Sequence, residues 1–335
     1  MAWLTSRGFT WRRALLAAGL AGALVLPFQI WGFTAYQFTF AGVYAIAILG
    51  LSLLCGQVGQ ISLGHGAFYG LGAYTTAVLM DRWGISAYAT FPVAAALCFT
   101  VGFGVGFAVL RLNFFYIALT TYALAMAVPQ ILKTSHLAPL TGGVQGLYLE
   151  RPGPPFGLPL TMDQWWYFVT GAVLLALLWL AHNLINSRTG RAVRAIRDNP
   201  TAARAAGIDL RLYKATIFGV SAAFTGIAGS LGALLLDFIA PDSFTFWLSI
   251  MLLVGAVIGG MGTVWGALAG GLMLQFWPDA AALVSRDLAL PVFGAALIMV
   301  AWFLPHGVAG WLDGVIRRLD ARRAAAALAR ESATR

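Results

Sequence analysis

The chain has 335 residues, of which 60% are hydrophobic and 10% charged, and its mean hydropathy is +0.81. An ordinary soluble domain carries about 25% charged residues, and a globule with so little charge would expose apolar patches too large to stay dispersed in water. Soluble enzymes, disordered tails and nucleic-acid binders are excluded despite the net charge of +9. The composition is that of an integral membrane protein, all-α and polytopic.

The charged residues fence the spans. Residues 14–80 contain no charge, and neither do 83–110, 112–132, 164–187, 215–236, 243–278 and 288–312. A spanning helix takes about 20 apolar residues, because roughly 30 Å of hydrocarbon is crossed at about 1.5 Å per residue. Three spans fit in the first stretch, two short ones in 243–278 and one in each of the others, so about eight to ten are expected. The run before Ala21-Gly22-Ala23 is short for a cleaved signal peptide and reads as the first span. With both termini inside, 17 of the 21 Lys/Arg fall on the inner face, and only Arg82, Lys133, Arg151 and Arg286 fall outside. That asymmetry obeys the positive-inside rule. It divides the chain into one transmembrane domain over 1–335, an outer loop at 133–163, an inner loop at 186–213 and a basic inner tail at 313–335.

Two segments at membrane depth are unsuited to unbroken helix. The first runs from Cys55 to Gly66 and carries Gln57, Gly59, Gln60, Ser62, Gly64 and His65 with no charge nearby. The second is Gly259-Gly260-Met261-Gly262-Thr263. Irregular backbone inside a membrane is tolerated only where it is buried in protein or lines a cavity, and paired glycine-interrupted segments point to a translocation pathway. Close helix packing is the competing reading, because Gly66/Gly70 and Gly262/Gly266/Gly270 are spaced four apart. His65 alone among glycines also reads as a hydrogen-bonded structural residue. His136, His182 and His306 are scattered, so neither a metal site nor a cofactor is expected.

The inner loop is the most structured hydrophilic part. Arg188, Gly190, Arg191, Arg194 and Arg197 lead into it, and the period of three puts Arg191, Arg194 and Arg197 along one side of a short helix, with Val193 and Ile196 turned away. Asp198 or Asn199 as N-cap, Pro200 at the first helical position, Ala202, Ala203 and Arg204, and Gly207 as the stop predict a separate helix over Pro200–Ala206. Arginines alone would suit lipid headgroups; a capped alanine helix suits a protein groove. No Asp, Glu, Lys or Arg lies mid-span to relay ions, and the phosphate-binding signature G-x-x-x-x-G-K-[ST] is missing. Power must then come from a partner, or the chain is a passive channel or facilitator.

Four runs in order over roughly 40–305 resemble the LivH/LivM-type permeases of branched-chain amino acid ABC importers. They are Gly59–Phe68 with Gly70–Tyr74, Leu140–Gly143 with Gly146-Leu147, Ser187–Ala192 through Asn199 to Ile208, and Gly259–Thr263. The long segment before the sixth span looks closer to the LivM than to the LivH partner. The resemblance implies a transport subunit without enzymatic activity in a bacterial inner membrane. Its partners would be a second, LivH-like permease, two cytoplasmic ATP-binding subunits and a periplasmic binding protein that delivers an amino acid. Urea, amide or aromatic-carboxylate importers share the same pattern. The loop helix would then be the coupling helix, with Ala202, Ala203 and Gly207 keeping the spacing of the Glu-Ala-Ala motif while Thr201 stands where glutamate is usual. Gln60 and Ser62 would meet the substrate or fix the backbone around it.

Overall fold

Long uncharged runs of Leu, Ala, Val, Ile and Phe form helices because in hydrocarbon a helix is one of the few structures that satisfies its own backbone. The computed structural model describes residues 19, 21–30, 32–109 and 114–284, with isolated positions as far as Gly314. A helical run over 21–29 is followed by α1 (Gly32–Leu53), α2 (His65–Trp83), α3 (Ala87–Val109), α4 (Phe114–Leu132) and α5 (Met162–Asn186). Then come α6 (Arg188–Asp198), α7 (Pro200–Ala205), α8 (Leu210–Leu236), α9 (Phe246–Gly259) and α10 (Gly266–Val284). Arg7, Arg12, Arg13, Arg111, Arg286, most of the expected span at 288–312 and the basic residues of the tail lie outside the described residues.

Among the described residues, five stretches are long and apolar enough to cross a membrane: Gly32–Val58, Ala87–Val109, Met162–Asn186, Leu210–Leu236 and Pro241–Gly259. The stretch expected to hold three spans contains the run over 21–29, α1 and α2, and the stretch expected to hold two short ones contains α9 and α10. α10 continues past the expected end at 278, taking Asp279 into the helix, where its carboxylate accepts from Gln37 Nε2 at 2.8 Å.

The spans differ in how they are surrounded. In α1 and α8, 78% and 83% of the apolar window is buried, against 28% in α3 and 22% in α5. α8 packs against α1, α2 and α3, while α1 also packs against α5 and α10. Close approach of α2 to α8 rests on missing side chains: a Cβ on Gly72 would overlap the backbone of Gly226. Small residues are how membrane helices come together where there is no water to expel. Leu97, Phe107, Leu119, Met126, Leu175 and Trp179 stay exposed on α3, α4 and α5, the surface that a bilayer or a neighbouring subunit would cover.

One end of the bundle carries a two-residue antiparallel pair, β1 (Leu147–Tyr148) with β2 (Phe238–Ile239). Arg151 closes this end. Its Nε and Nη2 donate to the two carboxylate oxygens of Asp237, both at 2.6 Å, and Nη1 lies 3.6 Å from Asp163 at the start of α5. Its guanidinium also sits 6.0 Å from the Tyr36 ring of α1. The ion pair and hydrogen bonds to Asp237 push the Arg151 pKa further up. Asp237 itself ends α8 with φ of 57°, a left-handed cap that Asp tolerates better than most residues. The described ion pairs join Arg82 to Asp81, Lys133 to Asp242, Arg151 to Asp163 and Asp237, and Arg197 to Asp198.

Candidate functional site

The inner loop folds as two helices with defined ends. Ser187 Oγ accepts from Gly190 N at 3.2 Å to start α6. Gly190, Val193 and Ile196 form its buried face, with Arg188, Arg191, Arg194 and Arg197 outside that strip. Asn199 Oδ1 accepts from Thr201 N and Ala202 N at 3.1 and 3.0 Å, capping α7. The helix ends one residue earlier than expected, with Ala206 as its cap. Gly207 N bonds Arg204 O at 3.0 Å and Ile208 N bonds Ala203 O at 3.1 Å. This is the paired closure of a Schellman motif, and it needs the left-handed φ of 80° that Gly207 supplies. Of this short helix only Ala203 is buried, while Pro200, Ala202 and Arg204 remain exposed.

Both glycine-rich breaks lie at the end of the bundle that carries this loop, between helices rather than midway along them. α1 widens into a π-helical turn over Leu54–Val58 and stops at Gly59, whose φ is 74°. Single π turns often mark functional bends. The turn α9–α10 holds Gly260 and Gly262 at φ of 107° and 89°, with Gly259 ending α9 and Thr263 closing the turn through Oγ1 to Gly260 O at 2.9 Å. The two breaks touch. A Cβ on Gly56 would overlap the backbone of Gly262, Ser52 Oγ accepts from Gly262 N at 3.0 Å, and Gln57 Nε2 donates to Gly262 O at 3.3 Å. Gln57 Oε1 is buried without a donor among the described residues, and an unmet buried acceptor costs about 1–3 kcal/mol. Gln57 lines a narrow crevice together with Ser52, Ile185, Gly262 and Thr263.

In the rest of the first break Gln60, Ser62, Gly64 and His65 are buried, while Gly59 is exposed. Leu63 N donates to Thr121 Oγ1 at 3.0 Å, Gly64 N to Ser62 Oγ at 3.3 Å and Gly66 N to Ser249 Oγ at 2.8 Å. His65 is fully buried. Ser221 Oγ spends its single proton on Gly50 O at 2.6 Å, so it can only accept from His65 Nε2 at 2.7 Å. In a neutral imidazole Nδ1 is then bare and accepts from Ser62 Oγ at 3.0 Å. Nε2 thus pins α2 to α8, and Nδ1 holds the break just before α2. Gln60 is buried beside this network.

Sequence reasoning found both breaks and the loop but not what joins them. Arg197 Nη1 donates to Gly56 O at 2.6 Å, and the Arg197 stem packs where a Cβ on Gly59 would sit, 3.2 Å from its Cγ. Beneath it, Val193 of α6 joins Leu54, Val58, Phe68, Ile217 and Phe218 in one apolar cluster. Ser52, Thr121, Ser221 and Ser249 were also missed. Their only sequence signal is a hydroxyl in an apolar run, a group that must find a partner when buried.

Comparison with known proteins identifies the family. A family model described as the branched-chain amino acid transport system / permease component matches residues 33–301. The high-affinity branched-chain amino acid transport system permease protein LivM of Escherichia coli K12 is 30% identical over 328 residues, covering 89% of this chain and 75% of that protein. LivH of the same organism is 27% identical, covering 81% of this chain and 92% of its own length. BraD of Pseudomonas aeruginosa is 26% identical, with 81% and 93% covered. No solved structure matches. The chain belongs to the permease-component family of branched-chain amino acid transport systems, as a multi-pass membrane protein.

Proposed function

We propose that this chain is one of two permease subunits in an ATP-driven importer of branched-chain amino acids. It would sit in a bacterial inner membrane with both termini cytoplasmic. The second permease is LivH-like, two cytoplasmic subunits hydrolyse ATP and a periplasmic binding protein delivers the substrate. The observation that carries this reading is the capped pair α6–α7, which presents an exposed alanine helix among arginines and rests on the broken ends of the spans. A loop that only attracted lipid would need the charges but not the caps at both ends of α7.

In this reading Arg188, Arg191, Arg194, Pro200, Ala202, Arg204 and Gly207 form the seat for an ATPase subunit, with Thr201 in the place of an acidic contact, while Gly190 and Ala203 are buried behind it and hold the two helices against the bundle. The guanidinium of Arg197 is turned from that seat toward Gly56. Gln57, Gly59, Gln60, Ser62, Gly64 and His65 of the first break, with Gly259, Gly260, Gly262 and Thr263 of the second, frame the inner mouth of the pathway. Gln57 and Gln60 stand ready to meet a zwitterion, while Ser62 and His65 fix the backbone around them.

The test is reconstitution of the co-purified complex in proteoliposomes with radiolabelled leucine, binding protein and ATP. The expected result is ATP-dependent uptake that A202W, on the exposed face of α7, abolishes while ATP hydrolysis continues. Leucine flux through the isolated chain without ATP would instead make it a facilitator. Uptake by A202W equal to the parent's would remove α7 from the coupling role.

A further inference from the structure

The loop and the two breaks are joined at one point, and that point is a side chain. We infer that Arg197 is a latch: its guanidinium holds the Gly56 carbonyl, so that displacement of α6 is passed through Gly56 into the α9–α10 turn and opens or closes the inner mouth. This rests on the transport reading above.

The geometry supports it in three ways. Gly56 lies inside the π-helical turn, where carbonyls are less committed to the helical ladder and one can accept from outside. Arg197 Nη1 reaches it at 2.6 Å, and a bond with a charged donor is roughly twice as strong as a neutral one. Gly56 in turn lies against Gly262 with no side chain between them, so a shift of one backbone is felt by the other without slack. Around this chain of contacts the parts are able to move. Gly59, Gly260 and Gly262 all have left-handed φ, and few-residue hinges of this kind absorb the rotation when packed bodies change position. The other contacts of Arg197 do not compete, because Asp198, its ion-pair partner, is its neighbour in sequence and travels with it.

Arg197 is therefore a positioning residue, acting on substrate only through the backbone that it holds. Electron spin echo distances in the complete complex test it. Spin labels go on Ala195→Cys in α6 and Met261→Cys in the turn, each measured against Tyr148→Cys at the other end; Ala195, Met261 and Tyr148 are exposed, and the native Cys55 and Cys98 are buried. In the parent protein both distances shift when ATP and vanadate are added. With Arg197→Gln the Ala195 distance still shifts but the Met261 shift is lost, and Arg197→Lys, which keeps a charged donor, restores part of it. A full Met261 shift with Arg197→Gln overturns the latch while leaving the transport reading intact. No shift at either label in the parent overturns that reading itself, and the latch with it. Melting temperature measured alongside separates the two roles, since a merely structural residue would lower it and leave the shifts coordinated.

Discussion

The two ends of the bundle are fastened in opposite ways. At the end that carries β1 and β2, Arg151 makes a two-pronged bond to Asp237 and approaches Asp163 and Tyr36, tying α1, α5 and α8 through side chains around one guanidinium. At the loop-bearing end Arg197 makes one bond to a backbone carbonyl, set among glycines with left-handed φ. A forked ion pair fixes orientation as well as distance. A single bond to a carbonyl in a glycine-rich turn fixes distance alone and lets the backbone pivot. The Arg151 clamp is suited to hold and, in the proposed transport cycle, the Arg197 contact to transmit.

Substitutions can break that contrast, and the largest effect is expected at the glycine contact. Gly56→Leu puts a side chain into the backbone of Gly262, and overpacking of this kind costs about 1–3 kcal/mol or more. The folded protein should fail to accumulate, as judged by its yield and melting temperature in detergent. Asp237→Ala leaves the half-buried Arg151 without its forked partner; with Asp237 itself half-exposed, about 1–2 kcal/mol of stability should be lost. Asp237→Asn keeps the shape and the left-handed cap and should recover part of the melting temperature. Asn199→Ala removes the cap of α7 and should cost about 1 kcal/mol, confined to that helix and visible as faster amide exchange over residues 200–206. Arg197→Gln should change the melting temperature least, because its side chain is 42% exposed and surface contacts are worth about 0–1 kcal/mol. Equal stability losses from Asp237→Ala and Arg197→Gln would erase the difference between the two ends.

What the sequence made legible was local. The spans show because charge is absent over whole stretches, and the loop helix shows because Asn199, Pro200 and Gly207 are boundary residues whose chemistry acts within a few positions. Both breaks show because clustered glycines, joined in the first by two glutamines, interrupt otherwise apolar runs. Their meeting could not be read, since Gly262 lies 205 residues from Gln57 and Arg197 lies 141 from Gly56. Arg197 was grouped with the docking arginines because period-three spacing gives a helix face, not the partner that face will find. Ser221 is the same case: nothing in its apolar neighbourhood distinguishes it until His65 is placed beside it. Arg151 was placed on the outer face by charge counting, which assigns sides and leaves its pairing with Asp237 open.

The central claim is that force enters through α6–α7 and passes through Arg197 while the Arg151 clamp only holds. The ratio of leucine transported to ATP hydrolysed, in proteoliposomes containing the complete complex and binding protein, tests this most directly. The account predicts a collapsed ratio for Arg197→Gln and a parental ratio for Asp237→Asn, although the second protein melts at the lower temperature. A parental ratio for Arg197→Gln, or a collapsed one for Asp237→Asn, would contradict it.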